Sequence, residues 1–170
     1  MSRDAYKTLF ICSKNSARSI MAEALLRHEG GDRFEAHSAG IEAGDGPHPM
    51  AVAALTDGGV STEGLTSKTL ETYQAPEAPT FDLVFTVCDW SAEQCPAWPG
   101  QPVNGHWNLK DPAKADGNEA ERALAFIEVM KAIRRRVALL AALPVEQLDH
   151  VALGQQVAAI DEKAKTTEVS

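Results

Sequence analysis

The chain has 170 residues, of which 44% are apolar and 24% charged, as expected for one globular domain with a substantial core. Its apolar runs are far too short to cross a bilayer, and its N-terminus lacks the long apolar stretch of a signal peptide, so we expect a cytoplasmic protein without membrane attachment. The net charge of −8 argues against a nucleic-acid partner, and any anion site must therefore be a local feature.

The hydrophobic pattern alternates between strands and helices. In chain order we predict a strand at 7–11, a helix at 16–28, a strand at 34–38, a helix at 47–57, a strand at 81–87, a short helix at 91–95, a weak strand at 102–107 and a long helix at 118–142. This order predicts an α/β fold, with a four-stranded parallel sheet flanked by helices on both faces. Ligands are then expected at the carboxyl ends of the strands.

The C-terminal part of the chain has a weaker periodicity and ends in a polar stretch. We therefore assign residues 1–144 to the domain and interpret residues 145–170 as a loosely attached extension. The arginine run at 134–136 is interpreted as part of the solvated face of the long helix.

The clearest chemical signal is CSKNSARS, residues 12–19, between the first predicted strand and the first predicted helix. A tight loop of small residues at such a junction turns backbone N–H groups inward, and Asn15 tolerates the left-handed conformation that this requires. Arg18 adds a planar fork of donors, and the positive surroundings favour the nucleophilic thiolate form of Cys12. An inert cysteine at a strand end is the alternative, but it leaves the rest of the pattern unexplained. The predicted oxyanion-binding residues are Ser13, Lys14, Asn15, Ser16, Ala17, Arg18 and Ser19.

The form C-x5-R-[ST] after a strand resembles the loop of the low-molecular-weight tyrosine phosphatase superfamily, and the resemblance covers residues 7–143. Within it, the segments SARSIMAEALLRH, HSAG, TVCD, CPAWPG, HW and DPAKADG are similar to the arsenate reductase branch. The resemblance implies the four-stranded sheet predicted above and an enzyme that reduces arsenate to arsenite through a relay of cysteines.

Cys88 and Cys95 stand seven residues apart, directly after the third predicted strand. Structural zinc sites prefer a closer pair and two further ligands, and the chain has no second pair. Two incidental buried thiols remain the alternative to a redox role. Reduction of arsenate takes two electrons, which the oxidation of two thiols to a disulfide supplies.

The resemblance implies an order for this relay. Cys12 attacks arsenate, Cys88 attacks Cys12 and releases arsenite, and Cys95 then attacks Cys88. Thioredoxin, or glutaredoxin with glutathione, is the implied electron donor. The resemblance also implies that the helix between the two later cysteines unwinds on oxidation.

The pair Asp111-Pro112 is where the resemblance places the general acid that protonates the leaving oxygen, and the proline helps to orient the aspartate. A plain turn is the alternative. Ser19 can hydrogen-bond the Cys12 thiolate or simply occupy the first helical turn.

In some of these reductases, an asparagine, a glutamate, a serine and an aspartate surround a potassium ion. Asn15, Glu23 and Ser38 match the first three, but Lys68 stands where the aspartate would be. We expect its ammonium group to replace the ion, so that the protein needs no metal and no cofactor. A solvent-exposed Lys68 is the alternative.

Two rival functions remain. A tyrosine phosphatase would use the same loop and acid without Cys88 and Cys95, and such phosphatases usually place an aromatic residue after the Asp-Pro pair, where this chain has Ala113 and Lys114. A non-catalytic anion-binding domain is the second rival, and the presence of nucleophile, arginine and candidate acid argues against it. We expect a monomer whose substrate is arsenate.

Overall fold

The computed structural model describes residues 5–78, 80–89 and 102–169 of the chain. Its strands and α-helices are β1 (Tyr6–Cys12), α1 (Arg18–Gly30), β2 (Phe34–Gly40), α2 (Pro49–Asp57), β3 (Leu83–Cys88), β4 (Val103–Asn108), α3 (Glu119–Ala141) and α4 (His150–Val169). The predicted α/β class is confirmed, and each predicted element from 7–11 to 118–142 has its counterpart except the short helix at 91–95, which lies outside the described residues.

Local sequence explains where the helices begin and end. α2 starts at Pro49, whose fixed φ angle suits a first helical position, and it ends directly before Gly58. α3 starts with a capping box in which Asn118 and Glu121 each accept a hydrogen bond from the other's backbone N–H group. These start and stop signals are short-range, which is why the sequence predicts them well.

The four strands form one parallel sheet in the order β2-β1-β3-β4. The chain starts at the central strand β1, moves outward to β2 and then crosses back to β3 and β4, so the winding direction reverses between β1 and β3. In open α/β sheets, ligands bind at the carboxyl ends of the strands beside this reversal. Cys12 is the last residue of β1 and Cys88 is the last residue of β3.

Two apolar cores lie on the two faces of the sheet. The larger core joins one face to all four α-helices and is centred on the rings of Phe10, Phe85 and Trp107, whose centroids are 4.7–5.5 Å apart. On the other face, Leu9 and other aliphatic side chains pack against the 3₁₀ helix Leu70–Tyr73. Burial on both faces explains why the central strands are almost continuously apolar.

The C-terminal segment is not the loosely attached extension that its sequence suggested. It contains the helix α4, which packs against β4 and α3 through Leu153, Val157, Ile160 and Ala164, all buried. These buried residues form a narrow apolar stripe on α4, and the glutamines Gln155 and Gln156 stand between two of them. The helical periodicity is therefore weak in the sequence. Gly105 of β4 lets α4 approach, because a Cβ atom there would lie 2.8 Å from Val157 Cγ1.

The arginine run at 134–136 is also not a solvated face. Arg136 is 2% exposed, and its Nε donates to Asp161 Oδ1 of α4 at 2.7 Å. Arg134 donates to the Gly58 carbonyl oxygen. The expectation was wrong because the partner of Arg136 lies on a helix that the sequence did not predict. Within the described residues, no helix combines the length and the apolar content needed to cross a membrane.

Replacement of Asp161 by asparagine is expected to lower the free energy of unfolding by about 3 kcal/mol, because the buried Arg136 guanidinium loses its counter-charge. Glu162→Gln is the matched control, since that side chain is 81% exposed and its pairing should contribute less than about 0.5 kcal/mol. Urea denaturation of both variants checks this, and equal stabilities would contradict a structural role for the buried pair.

Candidate active site

The loop between β1 and α1 is held from outside by the segment that follows β2. Four carbonyl groups at the start of the loop and within it accept hydrogen bonds of 2.8–3.3 Å from backbone N–H groups of that segment. The acceptors are Cys12, Ser13, Lys14 and Ser16, and their donors are, in the same order, Ile41, Glu42, Gly44 and His48. Because the C=O and N–H groups of successive residues in a tight loop point to opposite sides, carbonyls bound on the outside leave N–H groups for the inside. This is the arrangement that an anion-binding nest requires.

Two backbone positions make this close packing possible. Asn15 has a φ of +49°, the left-handed conformation predicted from the sequence. Gly40, at the end of β2, lies so close to the loop that a Cβ atom would be 2.7 Å from Asn15 N. The glycine of the HSAG segment is therefore required by the approach of two backbones.

The Cys12 thiol is free, buried and surrounded by hydrogen-bond donors. The Ser19 Oγ lies 2.8 Å from Cys12 Sγ, and the Asn15 backbone N–H donates to the same sulfur at 3.3 Å. Asn15 Nδ2 also donates to Ser19 Oγ at 2.8 Å, so the serine accepts there and its own proton can point at the sulfur. The Ser19 hydroxyl and the Asn15 backbone N–H therefore both face the sulfur and hold it at the base of the loop.

A cavity of about 310 Å³ opens above this thiol. Its lining residues are Cys12, Ser13, Lys14, Ser16, Ala17, Arg18, Asp111, Ala113 and Lys114. Of the predicted oxyanion-binding residues, Asn15 and Ser19 do not line the cavity but lie behind the loop, where they contact the thiol. Lys114 was not predicted as a site residue, and its place two residues after Pro112 was the signal available.

Arg18 and Asp111 face each other across the cavity. The Arg18 guanidinium is buried, its Nη1 donates to the Leu109 carbonyl oxygen at 3.0 Å, and its Nη2 lies 3.8 Å from Asp111 Oδ2. Asp111 Oδ1 accepts from the Ala113 N–H at 2.9 Å, which fixes the carboxyl group beside the arginine. Arg18, Lys14 and Lys114 against one aspartate make the cavity cationic, although the whole chain carries a net charge of −8.

Cys88 differs from Cys12 in its redox state and in the face of the sheet to which its side chain points. Cys88 is fully buried and disulfide-bonded, whereas Cys12 is free. The alternation of side chains along a strand places Cys12 on the large-core face with Phe10, and Cys88 on the opposite face with Val84. The two cysteines nevertheless end adjacent strands, which pair through Ile11 and Thr86. Cys95 lies outside the described residues.

Comparisons with known proteins agree with this geometry. The model of the low molecular weight phosphotyrosine protein phosphatase family matches residues 7–152. The arsenate reductase of Halalkalibacterium halodurans is 39% identical over 128 residues, which cover 75% of this chain and 89% of that protein. The glutaredoxin arsenate reductase of Synechocystis sp. is 32% identical over 131 residues, covering 77% of this chain and 92% of that protein.

Among solved structures, the crystal structure of arsenate reductase from Archaeoglobus fulgidus matches with a TM-score of 0.66 at 28% identity, covering 80% of this chain and 99% of that one. The chain therefore belongs to the low molecular weight phosphotyrosine protein phosphatase family. Within that family it belongs to the arsenate reductases. The family match ends at residue 152, so most of α4 lies beyond it.

Proposed function

We propose that this protein reduces arsenate to arsenite through a thiol relay of Cys12, Cys88 and Cys95. The observation that carries the proposal is the free thiol of Cys12 at the base of a cationic cavity, with a disulfide-bonded Cys88 at the end of the neighbouring strand. A hydrolytic enzyme needs only the first of these two features.

The relay starts when the Cys12 thiolate attacks arsenic(V) and forms a sulfur–arsenic bond, while one arsenate oxygen leaves as water. Arg18 holds two of the remaining oxygens in its fork of donors, and the loop N–H groups bind the others. Asp111 supplies the proton for the departing oxygen, since its carboxyl group lies at the cavity wall beside Arg18.

The Cys88 thiolate then attacks the Cys12 sulfur. A disulfide forms between the two cysteines, the sulfur–arsenic bond breaks, and its electron pair remains on arsenic, which leaves as arsenite. Cys95 attacks the Cys88 sulfur, forms the second disulfide and releases Cys12 as a thiolate. Because Cys88 lies on the face opposite Cys12, the chain around it must move during this cycle, as the resemblance to the family also implies.

An external dithiol completes the cycle by reducing the last disulfide, which restores two thiols at the cost of two donor electrons. We propose thioredoxin, or glutaredoxin with glutathione, as this donor. The name of the Synechocystis relative favours glutaredoxin, whereas the sequence resemblance leaves both donors open.

Replacement of Asp111 by asparagine is expected to lower the kcat/KM for arsenate by roughly 10²-fold, because the leaving oxygen loses its proton donor. The same variant should cleave phenyl phosphate far more slowly than the wild type but should handle 2,4-dinitrophenyl phosphate with little loss, since that leaving group needs no proton. Asp116→Asn, an exposed change five residues further on, is the matched control. An equal loss on both phosphates would contradict the acid role.

Turnover with arsenate tests the proposal as a whole. NADPH consumption is measured with thioredoxin and thioredoxin reductase, and separately with glutaredoxin, glutathione and glutathione reductase, at equal enzyme concentration. We expect arsenate-dependent turnover with one of the two systems and only weak cleavage of aryl phosphates, because Ala113 and Lys114 give the cavity wall no aromatic ring to stack on an aryl group. Rapid aryl phosphate cleavage without arsenate turnover in either system would contradict the proposal and identify a phosphatase.

A further inference from the structure

A buried charged cluster lies behind the catalytic loop and is centred on Glu23 of α1, which is 1% exposed. Its Oε1 accepts from Ser38 Oγ and lies 3.7 Å from Lys68 Nζ, while its Oε2 pairs with Arg27. Tyr73 adds no charge here, because burial raises the pKa of its hydroxyl to about 12. One carboxylate is thus balanced by two cations, of which Lys68 is the more deeply buried, at 19% against 44% side-chain exposure.

The same lysine is tied directly to the loop. Its backbone N–H donates to Asn15 Oδ1 at 2.7 Å, and the hydroxyl of the preceding Ser67 donates to the Asn15 carbonyl oxygen at 2.6 Å. Asn15 in turn donates to Ser19, which contacts the Cys12 sulfur. A continuous set of contacts therefore runs from Glu23 through Lys68 to the nucleophile.

The ammonium group is fixed in place. Lys68 Nζ donates to the Thr66 carbonyl oxygen at 2.7 Å, and the Lys68 carbonyl accepts from the Gly40 N–H at 2.8 Å, which holds the residue against β2. Burial lowers the pKa of Lys68, and the nearby Glu23 opposes this change and favours the charged form. The alternative of a merely solvent-exposed lysine does not fit these contacts.

A potassium ion does not fit among these residues. A positively charged side chain stands at position 68 instead of a carboxylate, and its Nζ already lies 3.7 Å from Glu23 Oε1.

We propose that Lys68 is a positioning residue whose ammonium group acts as a built-in monovalent cation, neutralising Glu23 and fixing Asn15 so that the loop presents its donors to the Cys12 thiolate and to the oxyanion. This inference rests on the proposed function for its catalytic consequence, but the loop geometry can be measured without arsenate. Lys68 makes no contact with the substrate cavity, so it acts through Asn15.

The first test uses alkylation of Cys12 in a Cys88→Ser, Cys95→Ser background, where it is the sole cysteine. Iodoacetate carries a carboxylate that the loop attracts, whereas iodoacetamide is neutral, so the ratio of the two rates reports anion binding by the loop. Lys68→Met should lower this ratio roughly tenfold, a difference of about 1.4 kcal/mol. Lys131→Met, an exposed change on α3, should leave it unchanged. General unfolding would instead raise the iodoacetamide rate.

The second test uses salt. The rate of Cys12 alkylation by iodoacetate in the wild type should be equal in potassium chloride and in choline chloride at the same ionic strength. In Lys68→Asp this rate should be low in choline chloride and several-fold higher in potassium chloride. The introduced carboxylate and Glu23 would then bind the external cation that the lysine replaces.

The alkylation rate of Lys68→Arg should stay within about threefold of the wild-type rate in both salts, because arginine keeps the positive charge. It also serves as the folded reference if the methionine variant melts below the assay temperature.

Three results would overturn the inference: a Lys68→Met alkylation ratio equal to that of Lys131→Met, a folded Lys68→Asp variant that stays slow and indifferent to potassium, or a wild type that potassium accelerates. Because alkylation needs no arsenate, a wild type that failed to reduce arsenate would refute the proposed function while leaving this test intact.

Discussion

Cys12→Ser is expected to abolish arsenate reduction, with kcat/KM falling by at least about 10⁴-fold, and to abolish aryl phosphate cleavage equally. Serine keeps the size and hydrogen-bonding capacity of the side chain, but a hydroxyl group is not a thiolate nucleophile at neutral pH and cannot form a disulfide. The loop carbonyls and Gly40 are held by contacts that do not involve the sulfur, and a serine oxygen can still accept from the Asn15 N–H, so the cavity should keep its shape.

Oxyanion binding provides the control for this variant. Phosphate or arsenate should raise the melting temperature of Cys12→Ser and of the wild type to a similar extent, because Arg18 and the loop remain in place. Loss of that protection would mean that the substitution had disturbed the loop. Residual arsenate turnover above about 1% of wild type would contradict the assignment of Cys12 as nucleophile.

Cys88→Ser is expected to stop arsenate turnover while preserving aryl phosphate cleavage. Without the second thiol, arsenic stays bound to Cys12 or returns to solution as arsenate, so steady-state reduction should fall by at least about 10³-fold. Aryl phosphate cleavage should stay within about twofold, since Cys88 lies on the opposite face of the sheet from Cys12 and does not line the cavity. No single change in Arg18 or Asp111 should separate the two activities in this way.

Cys95→Ser is the matched control for the second thiol. Without an electron donor, it should still release one arsenite per enzyme molecule, because Cys12 and Cys88 suffice for the reduction itself. Cys88→Ser should release none. If Cys88→Ser reduced arsenate at the wild-type rate, the relay proposed here would be wrong.

Much of the site could be predicted because its signals are local. The loop from Cys12 to Ser19 carries its nucleophile, its left-handed Asn15 and its clamp Arg18 within eight consecutive residues. The strand before it and the helix after it have clear apolar periodicity, and the winding order of the sheet then determines which strand ends meet.

The missed features depend on residues far apart in the chain. The Arg136 side chain is buried only because Asp161 follows 25 residues later on a helix with a weak sequence pattern. Gly40 belongs to a segment that resembles the family, but only its contact with Asn15 explains why a residue with a Cβ atom does not fit there. The place of Lys68 beside Glu23 and Asn15 was not missed, but it was expected only from the resemblance to the family, because three segments meet there only in the fold.

A single turnover without an electron donor tests the relay most directly. Fully reduced enzyme is mixed with excess arsenate, the arsenite released is quantified, and the thiols are then trapped and mapped by mass spectrometry. The relay predicts one arsenite per enzyme molecule, a disulfide between Cys88 and Cys95, and Cys12 trapped as a free thiol. Release of no arsenite with all three thiols still reduced, or release of arsenite with Cys12 retained in the final disulfide, would contradict it.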